Sequence, residues 1–169
     1  YTWDKERVSS YIRYVDTDNQ SHWLFDSFLF LEIMDTGTGG ANKMFAKGYN
    51  LESANQADWT KLIDYYFQSE TGIGALDASV KEASAILGTP RQKRQIVISI
   101  PEPIVYQHPE QASSSTKYWG KIDNQTLDFS NSADRIKACK WYIDQVRAKF
   151  NEKNYQHVEL AGFYWLAEK

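Results

Sequence analysis

Four carboxylates follow three apolar segments of the sequence. Glu32 and Asp35 come at the end of the first segment, Glu102 follows the second, and Glu168 follows the third. In glycoside hydrolysis one carboxylic acid protonates the leaving oxygen and a second carboxylate attacks or activates water. We therefore predict Glu102 and Glu168 as catalytic residues and Glu32 and Asp35 as substrate contacts. The alternative for Glu32 and Asp35 is that they are solvated turn residues, for which Asp is common. The alternative for Glu168 is an ion pair with a Lys or Arg of a later loop.

Aromatic side chains lie near the same carboxylates. Aromatics make up 15 % of the chain, and Tyr and Trp combine a flat apolar face with a polar group. Because sugar rings pack well on such faces, the predicted substrate contacts include four of them: Tyr106, Trp119, Tyr164 and Trp165. We expect Tyr106, Tyr118 and Trp119 to form a partly exposed platform beside Glu102. Packing in the core is the alternative, and most of the aromatics are expected there.

Three apolar segments predict strands that position these residues. They span residues 24–33, 95–100 and 158–166, and the length and composition of the first segment are typical of a strand buried on both faces. Helical patterns separate them, so the strands are expected to be adjacent, parallel and joined by right-handed connections. The predicted fold class is α/β, with parallel strands and helical crossovers. Because parallel strands end at one edge of a sheet, the carboxylates are expected to share that edge.

Helix boundaries follow from capping residues. Asp58 is predicted to cap a helix with apolar residues on one face, and a second helix is predicted over residues 75–87, ended by Gly88. A third helix is predicted to begin at Asn131 or Ser132 and to run to about residue 151. Residues 4–15 fit either a short helix or an irregular lead-in. The segments 35–57 and 104–131 are predicted to be long loops.

Several function classes lose support from the composition. The net charge is −3, and residues 91–94 form the one basic cluster, predicted to be a solvated loop, so no nucleic-acid partner is expected. Cys139 is the single cysteine and is predicted to be a buried apolar residue. No apolar run is long enough to span a membrane. No cofactor motif is found. A metal site is not expected because the histidines lack ligand spacing: His22, His108 and His157.

Several blocks of the chain resemble a known bacterial family, the one catalogued as domain of unknown function 4855. The blocks are residues 14–16, Trp23-Leu24-Phe25-Asp26-Ser27-Phe28-Leu29-Phe30-Leu31, Ile98-Ser99-Ile100-Pro101 and Leu160-Ala161-Gly162-Phe163-Tyr164-Trp165-Leu166-Ala167-Glu168. The resemblance implies a TIM-barrel, glycoside-hydrolase-like fold, of which residues 1–169 form one α/β unit. Members are longer, so the chain is similar to their amino-terminal half.

The same resemblance implies a glycan partner, association with the carboxyl-terminal half of such a barrel, and a catalytic pair that can lie beyond Lys169. It also implies a bacterial source, Bacteroides types included, and a secreted, periplasmic or cell-surface location. The start at Tyr1 rather than Met agrees with removal of an upstream segment. Two alternatives stay open. One is a non-catalytic carbohydrate-binding or scaffold domain on the same fold. The other is an α/β domain without a sugar role.

Overall fold

A computed structural model describes residues 3–35 and 42–167 of the chain. Short strands precede the first long helix, and the longer strands alternate with helices afterwards. The elements, in chain order, are α1 Lys5–Ile12, β1 Arg13–Val15, β2 Ser21–Trp23, β3 Ser27–Phe30, β4 Met34–Asp35, β5 Lys43–Met44, β6 Glu52–Ser53, α2 Gln56–Tyr66, α3 Gly72–Leu87, β7 Arg94–Ile100, β8 Lys121–Ile122, β9 Gln125–Thr126, α4 Ser132–Lys153 and β10 Val158–Trp165.

Strands β3, β7 and β10 form a three-stranded parallel sheet in the order β10-β7-β3. The β3–β7 register pairs Phe28 with Ile96 and Phe30 with Ile98. In the central strand β7, Ile96 and Ile98 are fully buried. The predicted α/β class and the parallel pairing of these segments are therefore confirmed, and the boundaries of β7 and β10 lie within a residue of the predicted ones.

Strand β3 is shorter than the predicted segment 24–33. The amides of Leu24 and Phe25 donate hydrogen bonds to the carbonyls of Ile12 and Tyr11, so this part of the chain does not belong to the parallel sheet. Along β3 half-buried and exposed residues alternate, and Leu29 is 49 % exposed. The expectation of burial on both faces is wrong for β3, because it is an outer strand of the sheet.

The contacts of the chain divide it into two compact units. The first comprises Tyr1–Phe30, Asp64–Ile98 and Arg147–Gly162. In it α1 packs against α3, and the buried side chains include Ile12, Ile73 and Val80. Asp4 begins α1 by accepting a hydrogen bond from the amide of Arg7. The lead-in predicted as helical or irregular is therefore a helix that continues into β1.

The second unit comprises Leu31–Ile63, Ser99–Val146 and Phe163–Lys169. Its core is aromatic: the ring of Trp59 lies 5.1 Å from that of Trp119 and 5.7 Å from that of Tyr142. Asn55 and Asp58 exchange side-chain to amide hydrogen bonds where α2 begins. Asp58 is thus inside the first turn of α2, and its prediction as the cap is wrong by one turn.

Two predicted loops contain short strands. Within residues 35–57, β5 and β6 form a sheet with β4, in the order β4-β5-β6, and residues 36–41 lie outside the described part. Within residues 104–131, β8 and β9 form a hairpin whose turn residues Asp123 and Asn124 have positive φ angles. Among the described residues, no helix has both the length and the apolar character needed to cross a membrane.

Candidate carboxylate site

The small sheet β4-β5-β6 arranges charged residues in a row. Asp35 pairs with Lys43, and Lys43 pairs with Glu52. Side chains of directly paired residues lie on the same face of a sheet. This face of the small sheet therefore presents acid, base and acid in sequence. The neighbouring row on the opposite face contains Met44 and Ser53, which are fully buried.

Glu52 is held by two partners within this unit. Its carboxylate lies 2.7 Å from the Nζ of Lys43 and accepts a hydrogen bond of 2.8 Å from the Nε2 of Gln107. The hydrogen bonds from Lys43 and Gln107 lower the pKa of Glu52 below its ordinary value. Glu52 is therefore an anion that contributes to the structure of the loop.

Glu32 is in the opposite situation. It is half-buried, and this burial raises its pKa, with the nearby charge of Asp35 acting in the same direction. A carboxyl group with a raised pKa keeps a proton to higher pH and can donate it to a leaving group. Burial therefore favours the protonated form of Glu32, and the charge of Asp35 increases that preference.

Glu102 makes contacts that use both of its oxygens. Its Oε2 accepts a hydrogen bond of 2.8 Å from the amide of Lys47, and its Oε1 lies 2.9 Å from the Nζ of that residue. Its own amide donates to the carbonyl of Phe45. The side chain is 12 % exposed. These contacts join the segment after β7 to the segment after β5, and the predicted catalytic role of Glu102 stays a prediction.

The aromatic residues predicted as a platform differ in exposure. Tyr106 and Tyr118 are half-buried, and the hydroxyl of Tyr118 donates to the carbonyl of Ile104 at 2.8 Å. Burial raises the pKa of Tyr118, and the charges of Glu102 and Glu52 act in the same direction. Trp119 is only 1 % exposed, so its prediction as part of an exposed platform is wrong. Its indole packs in the aromatic core instead, against Trp59, Trp141 and Phe129.

The last strand carries the remaining predicted residues. Tyr164 is half-buried, whereas Trp165 is 46 % exposed. Glu168 lies outside the described residues. Cys139, predicted to be a buried apolar residue, is half-buried, and this burial raises the pKa of its thiol to about 11. The described part of the chain contains no group of three His, Cys, Asp or Glu side chains that could hold a metal ion.

The sequence did not predict which residues contact the carboxylates. Lys43, Lys47 and Gln107 lie in segments predicted to be loops, where no periodic pattern indicates which residues face one another. Two-residue strands are too short to produce a recognisable alternation. The one signal available was composition, because Lys43 and Glu52 are opposite charges within the same predicted loop.

These observations define a mixed α/β protein with a three-stranded parallel sheet, in which carboxylates follow strands β3 and β7. The family profile described as "Domain of unknown function (DUF4855)" matches residues 1–169, so the chain belongs to that family. No curated protein and no solved structure shows a significant match to the chain.

Proposed function

We propose that this protein is carbohydrate-active and that it has a glycoside-hydrolase-like site for a glycan. The observation that carries the proposal is the half-buried Glu32, whose pKa burial and Asp35 raise above the ordinary value. Glycosidases need one carboxyl group that is protonated near neutral pH and a second that is ionised. In this proposal Glu32 is the proton donor and Asp35 is the second carboxylate of the site.

The order of strands and helices supports the proposal of a glycoside-hydrolase-like barrel. Helices α2 and α3 lie between β3 and β7, and α4 lies between β7 and β10, so helices separate the strands of the parallel sheet as they do in a TIM barrel. Glu32 follows β3 and Glu102 follows β7, and catalytic residues of such barrels come after strands. We propose that the chain forms the amino-terminal part of a larger barrel. It would associate with the carboxyl-terminal half of that barrel.

A non-catalytic carbohydrate-binding or scaffold domain is the second candidate. It is favoured by the exposed indole of Trp165, which offers a flat face for a sugar ring. The engagement of both oxygens of Glu102 by Lys47 also favours it, because a carboxylate held in this way is less available for chemistry. Under either candidate we propose a secreted, periplasmic or cell-surface location in a bacterium, where glycans are accessible.

The test measures turnover and binding separately. The full chain and its Glu32→Gln variant are incubated with a panel of dye-labelled polysaccharides, and released dye and retained protein are both recorded. Glu152→Gln is the matched control, because it makes the same change on an exposed face of α4. We expect Glu32→Gln to reduce turnover by about 10²–10⁴-fold, the usual contribution of a general acid, and to keep binding.

Each outcome separates the candidates. Turnover that is lost in Glu32→Gln and kept in Glu152→Gln supports the hydrolase. Retention on a polysaccharide without turnover in any variant supports the binding domain, and Trp165→Ala should then weaken it. Neither turnover nor retention on any member of the panel would contradict the carbohydrate proposal as a whole.

A further inference from the structure

A cavity in the first unit lies beside the segment that links α3 to β7. Its volume is about 500 Å³, which is within the range of small-molecule sites. The lining includes Thr89, Pro90, Arg91 and Gln92 from this segment and Trp23 from β2. Part of the lining belongs to the basic cluster of residues 91–94, which the sequence predicts to be a solvated loop. That prediction holds for Arg91, which is exposed, but not for every residue of the cluster.

Arg94 is the buried member of the cluster. It is 5 % exposed, and its guanidinium lies over the indole of Trp23 at 4.4 Å from the ring centroid. Arg94 is the first residue of β7, and its amide donates a hydrogen bond to the carbonyl of His157. Within the described part of the chain, nothing accepts a hydrogen bond from its Nε. A guanidinium stays charged in proteins, so this is a buried cation with an unused donor.

The charges around the cavity are unequal. Arg91 and Arg94 are positive, and Asp26 is the single acidic residue of the lining. Burial lowers the pKa of Arg94, while the charge of Asp26 raises it. Asp26 is exposed, and its Oδ1 accepts a hydrogen bond from the hydroxyl of Ser27. One acid against two arginines leaves the lining with a net positive charge.

We propose that this cavity binds a small anion that carries a carboxylate or a phosphate group. The planar fork of a guanidinium matches two oxygens of such a group, and the guanidinium of Arg94 lies 4.4 Å from the centroid of the Trp23 ring, which also lines the cavity. Arg94 is the principal contact, Arg91 adds a second positive charge, and Asp26 weakens binding by repulsion. The proposal does not depend on the carbohydrate function, because none of the residues proposed for that function lines this cavity.

Inorganic phosphate and acetate are the probes. Each is titrated into the full chain while the indole N–H signal of Trp23, assigned with Trp23→Phe, is followed by NMR. We expect dissociation constants of about 1 mM, the affinity of a few favourable contacts. Arg91→Gln should weaken binding about fivefold, and Asp26→Asn should strengthen it by a similar factor, as expected for single charges near the anion.

Lys93→Gln is the matched control. It makes the same charge change as Arg91→Gln within the same segment, but the Nζ of Lys93 contacts the carbonyl of Tyr155 and not the cavity. We expect it to change affinity by less than about twofold, since screening weakens exposed charges. Binding of either probe with opposite effects of Arg91→Gln and Asp26→Asn supports the site. Absence of binding by both probes, or equal effects of Lys93→Gln and Arg91→Gln, overturns it.

Discussion

Glu32 and Glu52 are half-buried carboxylates of the same unit, and their surroundings act on them in opposite directions. Lys43 and Gln107 bind Glu52 and lower its pKa, whereas burial and the charge of Asp35 raise the pKa of Glu32. The difference shows that cationic and amide partners favour the ionised form of a carboxylate, whereas burial beside a second acid favours its protonated form. Three substitutions test this comparison, and a fourth, at Lys47, extends it to Glu102.

The largest expected effect is on the Lys43–Glu52 pair. Lys43→Met removes a cation whose side chain is 14 % exposed and leaves Glu52 without its charged partner. We expect the free energy of unfolding to fall by about 2 kcal/mol, less than for a fully buried pair because Glu52 is partly exposed. Urea denaturation measures this loss. The double variant Lys43→Met with Glu52→Gln should recover more than half of it, and a loss below about 0.5 kcal/mol would show an ordinary surface pair.

Glu52→Gln should cost about 1 kcal/mol at neutral pH, the upper range for a partly exposed ion pair. The sign follows from the lowered pKa of Glu52, which means that folding favours its ionised form. This stabilisation is complete above the pKa of the unfolded chain and is lost as pH falls through the folded pKa. The difference between wild type and variant should therefore shrink in acid. A difference that is independent of pH would contradict the shift.

Glu32→Gln should have the reverse pH dependence. Its raised pKa means that folding favours the protonated form, so its contribution is present at low pH and is lost as pH rises through the folded pKa. The variant should be more stable than wild type at neutral pH by about 0.5 kcal/mol, and this gain should vanish in acid. Thermal unfolding across pH measures it. Gain of stability with loss of turnover is typical of an active-site residue.

Lys47→Met should have the smallest effect. The Nζ of Lys47 pairs with Glu102, but the lysine side chain is 57 % exposed, and its amide still donates to Glu102 after the substitution. We expect a loss of about 0.3 kcal/mol in urea denaturation. A loss above about 1 kcal/mol would show that the side chain, rather than the amide, holds Glu102.

The sequence predicted the regular elements better than the site. The apolar run that forms β7 and the helical periodicity of α3 are local signals. β7 lies within a residue of its predicted bounds, and α3 ends at residue 87 as predicted but begins at Gly72 rather than at residue 75. The pairing of Lys43 with Glu52 depends on the register of two-residue strands, which no local pattern contains. The burial of Trp119 depends on Trp59 and Phe129, which are distant in sequence.

The burial of Arg94 is another feature that the sequence could not predict. Its neighbours Arg91 and Lys93 are exposed, and a run of basic residues is usually solvated. Strand β7 begins at Arg94, and Trp23 from β2 provides the ring on which it stacks. A residue type therefore indicated the charge, but only the fold could show which arginine is buried.

The register of β3 with β7 has a kinetic consequence. Ser27 pairs with Gln95, so the two strands meet only after a long intervening segment that includes α2 and α3 has been brought together. Closing such a long loop costs entropy before any strand contact forms, and topologies rich in distant pairings fold slowly. Helix α3 has local contacts and can form early, whereas the parallel sheet must wait for the ends to meet. Refolding should therefore be slowed most by substitutions that weaken the helices between these strands.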